Sequence, residues 1–263
     1  GTNNIGEIKE LTKIVKPHQV FITNIQSTHL ENFKTKNKIA IEKSDIFLKK
    51  YNKLSKKIYL NINNLHENLI YNIAKKEKGL NIIILGSKSK KYFVKKIYNL
   101  KNNYKIIYSI NKKIIKIENK YFFDSIINNI LFILAFFSEN KINKNIISKN
   151  IKYLKPIEGR GKSHIIYLSG KKIKIIDESY NANPDTMLQS INNFKNIAIP
   201  AKRKILVLGN MNELGNLTDK LHIELIQSIE RDKFKSIILC GEFYQRNINK
   251  ITKINNECIY LSN

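Results

Sequence analysis

The chain has 263 residues, 42% of them hydrophobic, enough to bury one large core or two modest ones. Lys and Arg number 47 against 21 Asp and Glu, a formal charge of +26. The lysines are scattered among Ile and Asn, as in NKKIIKIENK and NKINKNIISKN, without a basic block, zinc-finger or RNP-type motif; that pattern is a solvated lysine-rich surface and excludes specific nucleic-acid recognition as the main reading.

Strand-like runs QVFITNI, KIYLNIN and LNIIILG punctuate the first half, separated by helical patterns such as NKIAIEKSDIFLKKYNKL and HENLIYNIAKKEKG. Strands alternating with helices predict a parallel α/β sheet. NYKIIYSI and KKIIKIE follow as two further strands, then the helix SIINNILFILAFFSEN and a second, polar helix ending near Leu154. The apolar run IINNILFILAFF carries Asn128 and Asn129 and is too short to span a bilayer, so no membrane partner is expected. Pro156 to Gly161, PIEGRG, is a breaker cluster that predicts a domain boundary, giving 1–156 and 157–263. Beyond it the pattern restarts with HIIYLSG, KIKIIDES, a helix after Asp185, KILVLGN, a helix from Thr218 to Asp232, SIILCG and ECIYL. Cys240 and Cys258 are isolated, so neither a disulfide framework nor a zinc site is expected. Cys240, in SIILCG, is expected in the core, and free thiols predict a reducing, cytoplasmic location.

The richest stretch is DESYNANPDTM, Asp177 to Met187. Asp177 ends the apolar run IKIIDES, where a strand would finish. Asn181, Asn183, Pro184 and Asp185 then dictate a turn, since Asn and Asp bond the local backbone and Pro fixes φ. Met187, Leu188, Ile191 and Phe194 recur at helical spacing, with Asp185 as the expected N-cap. A strand, a polar turn and a helix is how open α/β sheets place ligand groups at strand C-termini. An ordinary strand-to-helix loop has the same spacing.

The wording Asp-x-x-Tyr-Asn-Ala-Asn-Pro-x-x-Met resembles the nucleotide-contacting loop of the Mur ligase family. Other segments agree. GTNNIGEI at the start is similar to a family segment Gly-x-Asn-x-x-Gly-Glu-Ile, matched at Gly1, Asn3, Gly6, Glu7 and Ile8; Gly-Glu-Ile resembles the D-alanyl-D-alanine-adding branch. TNIQSTHLENF with the following helix resembles the segment in which a His and a carbamoylated Lys help hold magnesium. PIEGRG resembles the Pro-x-x-Gly-Arg linker whose Arg reaches ATP phosphates. VLGNMNELG resembles Val-Leu-Gly-Asp-Met-x-Glu-Leu-Gly, with Asn210 in place of Asp, and His222 in the next helix also matches.

The resemblance implies an α/β fold: the remainder of a central ATP-binding domain, 1–156, and a Rossmann-like C-terminal ligase domain, 157–263. It implies ATP-dependent amide formation, with ATP and Mg2+ as cofactors and UDP-N-acetylmuramoyl-tripeptide and D-alanyl-D-alanine as partners of a monomer. The tripeptide carboxylate takes the γ-phosphoryl group, and the amine of the dipeptide displaces phosphate from the acyl phosphate. His29 and Lys43 are implied as magnesium contacts, Arg160 at phosphate and Asp177 at ribose, with Asn181 and Asn183 shaping the loop. A lysine kept from its ammonium form can capture carbon dioxide, and the carbamate is an oxygen ligand suited to a hard cation. Glu42 is at most a supporting group, and Glu213 and His222 are expected as structural contacts of their loop.

Departures are equally plain. The family's His-Asn pair near the adenine falls at Ser125 and Ile126. Its phosphate loop, G-x-x-x-x-G-K-[ST], occurs nowhere in the chain, and the family's metal-binding Glu would be the residue before Gly1. The reading therefore expects a truncated piece, inactive by itself and ending early after ECIYLSN. Two alternatives stay open: another Mur-type or folylpolyglutamate-type amide ligase, and an inactive remnant or basic binding module.

Overall fold

A computed structural model describes residues 2–62, 65–100, 103–119, 124–143, 150–151 and 154–261. Gly1 of the opening motif and much of the expected polar helix before Leu154 lie outside these residues. The chain forms two compact units. The first comprises Gly1–Ile25 and Phe33–Pro156, the second Gln26–Asn32 and Ile157–Asn263.

In the first unit, β1 (Gln19–Ile22), β2 (Lys57–Asn61) and β3 (Asn81–Leu85) form a parallel sheet with β2 in the middle. Gln19 stands opposite Lys57, and Lys57 opposite Asn81. Ile58, Tyr59 and Leu60 are fully buried in succession, as expected for a central strand covered on both faces. Helices α1 (Glu7–Val15), α3 (Lys36–Ser44) and α4 (Leu65–Lys75) belong to this layer, and α2 (Leu30–Phe33) is one short turn. The expected long helix over NKIAIEKSDIFLKKYNKL stops at Ser44. The chain leaves the helix to bury Phe47 completely, and Asn52 Nδ2 then donates to the Pro17 carbonyl at 2.7 Å.

Of a second sheet, the strands NYKIIYSI and KKIIKIE were read from the sequence but the first strand was not. Strands β4 (Tyr92–Asn99), β5 (Tyr104–Ile110) and β6 (Lys113–Asn119) make an antiparallel meander with β5 central. The expected apolar helix is α5 (Asp124–Glu139). Its Ile127, Ile130, Leu131, Leu134 and Ala135 join Tyr59, Ile83 and Leu85 of the parallel sheet and Ile106, Tyr108 and Ile117 of the meander in one core. At about 1.5–3 kcal/mol per buried large apolar side chain, this helix is the main cement of the unit. A polar network ties its end: Tyr92 Oη donates to Glu139 Oε1 at 2.5 Å, and Asn140 bonds Gln19 and Tyr59. Burial, then the Glu139 bond, pushes the Tyr92 phenol up to about 12.

The second unit opens with the hairpin β7 (Lys162–Leu168) and β8 (Lys171–Asp177). Ser169 and Gly170 both have positive φ, the two-residue turn whose twist suits paired strands. Then come α6 (Pro184–Lys195), β9 (Ile205–Leu208), α7 (Thr218–Ser228), β10 (Ser236–Leu239), α8 (Glu242–Ile254) and β11 (Cys258–Tyr260). Strands β9 to β11 are parallel with β10 central. Alternation sends Leu206, Leu208, Ile237 and Leu239 inward, while Ile205 and Val207 are exposed. Cys258 is the buried cysteine; Cys240, expected in the core, is half-buried because β10 ends one residue earlier. Among the described residues no helix is long and apolar enough to cross a membrane.

Candidate functional site

The PIEGRG segment and the end of β8 fold into one clasp. Asp177 Oδ2 accepts from the Gly159 amide at 2.9 Å, and Oδ1 from the Ser179 amide at 3.0 Å. The Asp177 carbonyl takes the Gly161 amide at 2.7 Å, and the Gly159 carbonyl takes the Tyr180 amide at 3.1 Å. Hydrogen bonds from Ser179, then the Gly159 amide, hold the Asp177 carboxyl below its usual range, so it is ionised at neutral pH. Gly159 has φ +68, and a Cβ there would lie 2.7 Å from the Tyr180 Cβ. Only glycine fits both the backbone and the approach. Tyr180 in turn lies under the Arg160 guanidinium, 4.2 Å from ring centroid to Cζ. Arg160 and Asp177, separated by the whole hairpin in sequence, thus meet in one exposed clasp.

The turn that follows corrects one expectation. The N-cap of α6 is Asn183, not Asp185. Asn183 Oδ1 accepts the Thr186 amide at 3.0 Å, and Thr186 Oγ1 accepts the Asn183 amide at 3.2 Å, a reciprocal capping box. Pro184 takes the first helical position, where its missing N–H costs nothing. Asp185 is thereby freed to accept the Ser27 amide at 2.6 Å. Asn183 is 3% exposed, yet its Nδ2 has no partner among the described residues. Asn181 is exposed on the same turn.

Ser27 introduces the segment Gln26–Asn32, which carries His29. His29 and Glu213 both have left-handed backbone, φ 53 and φ 60. Such residues are strained by about 1 kcal/mol or more and persist only where neighbours impose the conformation. Here the Glu31 amide donates to the Glu213 carbonyl at 2.9 Å, and Gly215 leaves room for the Glu31 backbone. His29 Nδ1 lies 2.6 Å from Glu213 Oε2. With Nδ1–H given to the carboxylate, Nε2 carries the lone pair, the arrangement that orients a histidine for a metal.

His222 is fully buried behind this loop. Its Nε2 accepts the Met211 amide at 2.9 Å, and Nδ1–H donates to the Thr218 carbonyl at 2.8 Å. The ring stacks on Phe243 at 4.2 Å. Burial lowers its pKa, so it is a neutral pin for the Asn210–Gly215 loop, as the sequence suggested. Asn210 fills the space left by Gly241, where a Cβ would come within 2.6 Å of it. A cavity of about 290 Å3 lies here, lined by Glu31, Asn210, Glu213, Thr218, His222 and Arg246 among others.

Lys43 belongs to the first unit, in the last turn of α3. It is half-buried, and its Nζ meets the Asn24 carbonyl at 3.4 Å. Burial lowers its pKa, favouring the neutral amine. Glu42 beside it is 4% exposed and accepts the Gly6 and Ile8 amides at 2.8 and 2.9 Å. Ser125 is exposed and Ile126 half-buried in the first turn of α5. Among the described residues no three His, Cys, Asp or Glu side chains form a cluster able to hold a metal.

The model of the Mur ligase middle domain matches residues 1–137, and that of the Mur ligase glutamate ligase domain matches residues 164–258. The chain belongs to the Mur ligase family. A relative from Rickettsia prowazekii, named UDP-N-acetylmuramoyl-tripeptide–D-alanyl-D-alanine ligase, is 33% identical over 96% of this chain and 56% of its own length. One of the same name from Borreliella burgdorferi is 28% identical over 99% and 53%. The fold of MurF from Acinetobacter baumannii matches at TM-score 0.81 with 22% identity, covering 99% of this chain and 54% of that one. MurF from Thermotoga maritima in complex with ADP matches at TM-score 0.77 with 20% identity, covering 99% and 56%. The chain spans about half the length of the curated relatives it matches. This Mur ligase chain also uses groups that the sequence did not single out: Tyr180 under Arg160, Ser179 and Gly159 on Asp177, and Ser27 on Asp185. Tyr180 stood inside the recognised motif, but nothing in the spacing told that its ring would seat the arginine.

Proposed function

We propose that this chain is the nucleotide- and acceptor-handling part of an ATP-dependent amide ligase that joins D-alanyl-D-alanine to UDP-N-acetylmuramoyl-tripeptide in the cytoplasm, with residues 1–156 as its central domain and 157–263 as its C-terminal ligase domain. The observation that carries this is the clasp in which Gly159 and Ser179 amides fix an ionised Asp177 while the exposed Arg160 next to Gly159 lies over Tyr180. Arg160 offers a planar fork of donors to phosphate oxygens. Asp177 offers acceptors to sugar hydroxyls, and its own donors already fix its orientation. The unpartnered Nδ2 of Asn183 is a buried donor beside the same loop, and it supports a polar ligand at this end of β8.

The magnesium side fits the donor chemistry. Glu213 orients His29 with Nε2 as lone-pair donor, and burial lowers the Lys43 pKa toward the neutral amine that carbamoylation needs. Magnesium, when bound, neutralises charge on the phosphoryl group being transferred. Arg160 would share that charge, and Asp177 would hold the nucleotide in register.

The test is D-alanyl-D-alanine-dependent ADP release by the protein that carries this chain, given ATP and the UDP-linked tripeptide. No release with all three present would sink the proposal. Within it, Asp177→Asn and Arg160→Ala are each expected to raise the KM for ATP about tenfold, a loss of ~1.4 kcal/mol. A KM unchanged in both would remove the clasp from the nucleotide site. No specific nucleic acid is proposed as partner. DNA binding is expected to be weak and to fall steeply with salt, as counterion release by scattered lysines requires. A sequence-preferring complex at physiological salt would instead favour a binding module.

A further inference from the structure

Helix α1 lacks a cap of its own. Its N-cap is Gly6, with φ 94 and no side chain to accept the orphan amides of the first turn. The acceptor comes from α3, thirty-four residues and more along the chain. Glu42 Oε2 takes the Gly6 amide at 2.8 Å, Oε1 takes the Ile8 amide at 2.9 Å, and the Thr2 hydroxyl lies 3.5 Å from Oε1. Glu42 is 4% exposed, so this is a buried carboxylate satisfied almost entirely by one short segment. A buried carboxylate is stable only when so satisfied, and its removal breaks the bonds of the Gly6 and Ile8 amides.

Lys43 is the next residue on the same turn. Successive helical side chains point about 100° apart. Glu42 therefore grips α1 while Lys43 reaches the Asn24 carbonyl just past β1. The last turn of α3 is held on two sides.

We propose that Glu42 is a positioning residue: by latching Thr2–Ile8 onto α3 it fixes the helical turn that presents Lys43. The functional weight of the latch rests on the reading of Lys43 given above. Freed from the latch, the turn rotates or frays, and Lys43 loses its fixed seat against Asn24.

The test compares wild type with Glu42→Gln, in which the carboxamide presents N–H to at least one backbone N–H. Glu10→Gln, an exposed acid on α1, is the charge control. Amide hydrogen exchange at Gly6 and Ile8 is expected to speed at least tenfold in Glu42→Gln, while α4 amides keep their rates. Acylation of Lys43 by a small amine-reactive reagent, measured against exposed Lys112, is expected to change severalfold in the same variant and not in the control. Exchange within twofold of wild type would overturn the latch; faster exchange with unchanged Lys43 labelling would reduce Glu42 to a helix cap. Should Glu42→Gln fail to fold, wild type in sub-denaturing urea decides: Gly6 and Ile8 exchange and Lys43 labelling must rise with one urea slope, and separate slopes refute the coupling. Labelled bicarbonate on wild type tests Lys43 carbamoylation separately; its absence would end the carbamate reading and leave the two latch ratios to stand or fall alone.

Discussion

Lys43→Ala is expected to lower kcat of the proposed ligase activity in the protein that carries this chain about a thousandfold, ~4 kcal/mol of barrier, with the fold intact. The amine is half-buried with one long contact, to the Asn24 carbonyl, and burial already disfavours its charged form. Removing such a group sacrifices little. Ala is also the better helix former, so stability should change by less than about 0.5 kcal/mol. If Lys43 carries a carbamate, the lost function is an oxygen ligand, and formate or acetate added from solvent should restore part of the rate to the alanine variant. Steady-state turnover with and without added acid is the measurement. A near-normal rate in Lys43→Ala would refute the metal assignment, and His29 would lose its main support with it.

His222→Ala is expected to destabilise the second unit by about 3–4 kcal/mol in urea unfolding. The substitution empties a fully buried site stacked on Phe243 and orphans the Met211 amide and the Thr218 carbonyl. The same residue gives a pH signature. Burial depresses its pKa below the usual 6.5, against weaker opposing effects of the Thr218 bond and Asp219. The unfolded chain then binds the proton more tightly than the folded one. The stabilisation is complete above pH about 6.5 and is lost as pH falls through the folded value, at up to ~1.4 kcal/mol per pH unit. The difference between wild type and His222→Ala should shrink between pH 7.5 and 5. A difference constant over that range would mean that the ring is not held neutral.

The sequence disclosed what local pattern controls. Continuous apolar runs such as IYLNI and IILC became buried strands, and the apolar length of α5 marked its burial. It hid what lysine and asparagine cover. YFVKKIYN is β4, its apolar residues interrupted by two lysines on an exposed stretch, and EFYQRNINKITKI is α8, with Phe243, Tyr244 and Ile251 as its few buried anchors. At the site, the motif residues stood out in the sequence, but the partners that hold them did not. Asp185 looked like the cap because Asp is a good cap, and Asn183 took the role because Pro184 suits the next position and Thr186 completes the box. Glu42 gave no local signal, since its partners lie on another helix.

The clasp around Asp177 bears on how tightly a ligand can be held. Gly159, Ser179 and Tyr180 are tied by the protein's own hydrogen bonds, and the Arg160 side chain is parked on an aromatic ring. The loss of conformational freedom in that loop is thus incurred when the chain folds and not when a ligand arrives. Each contact made on arrival then adds to affinity with little entropy to set against it.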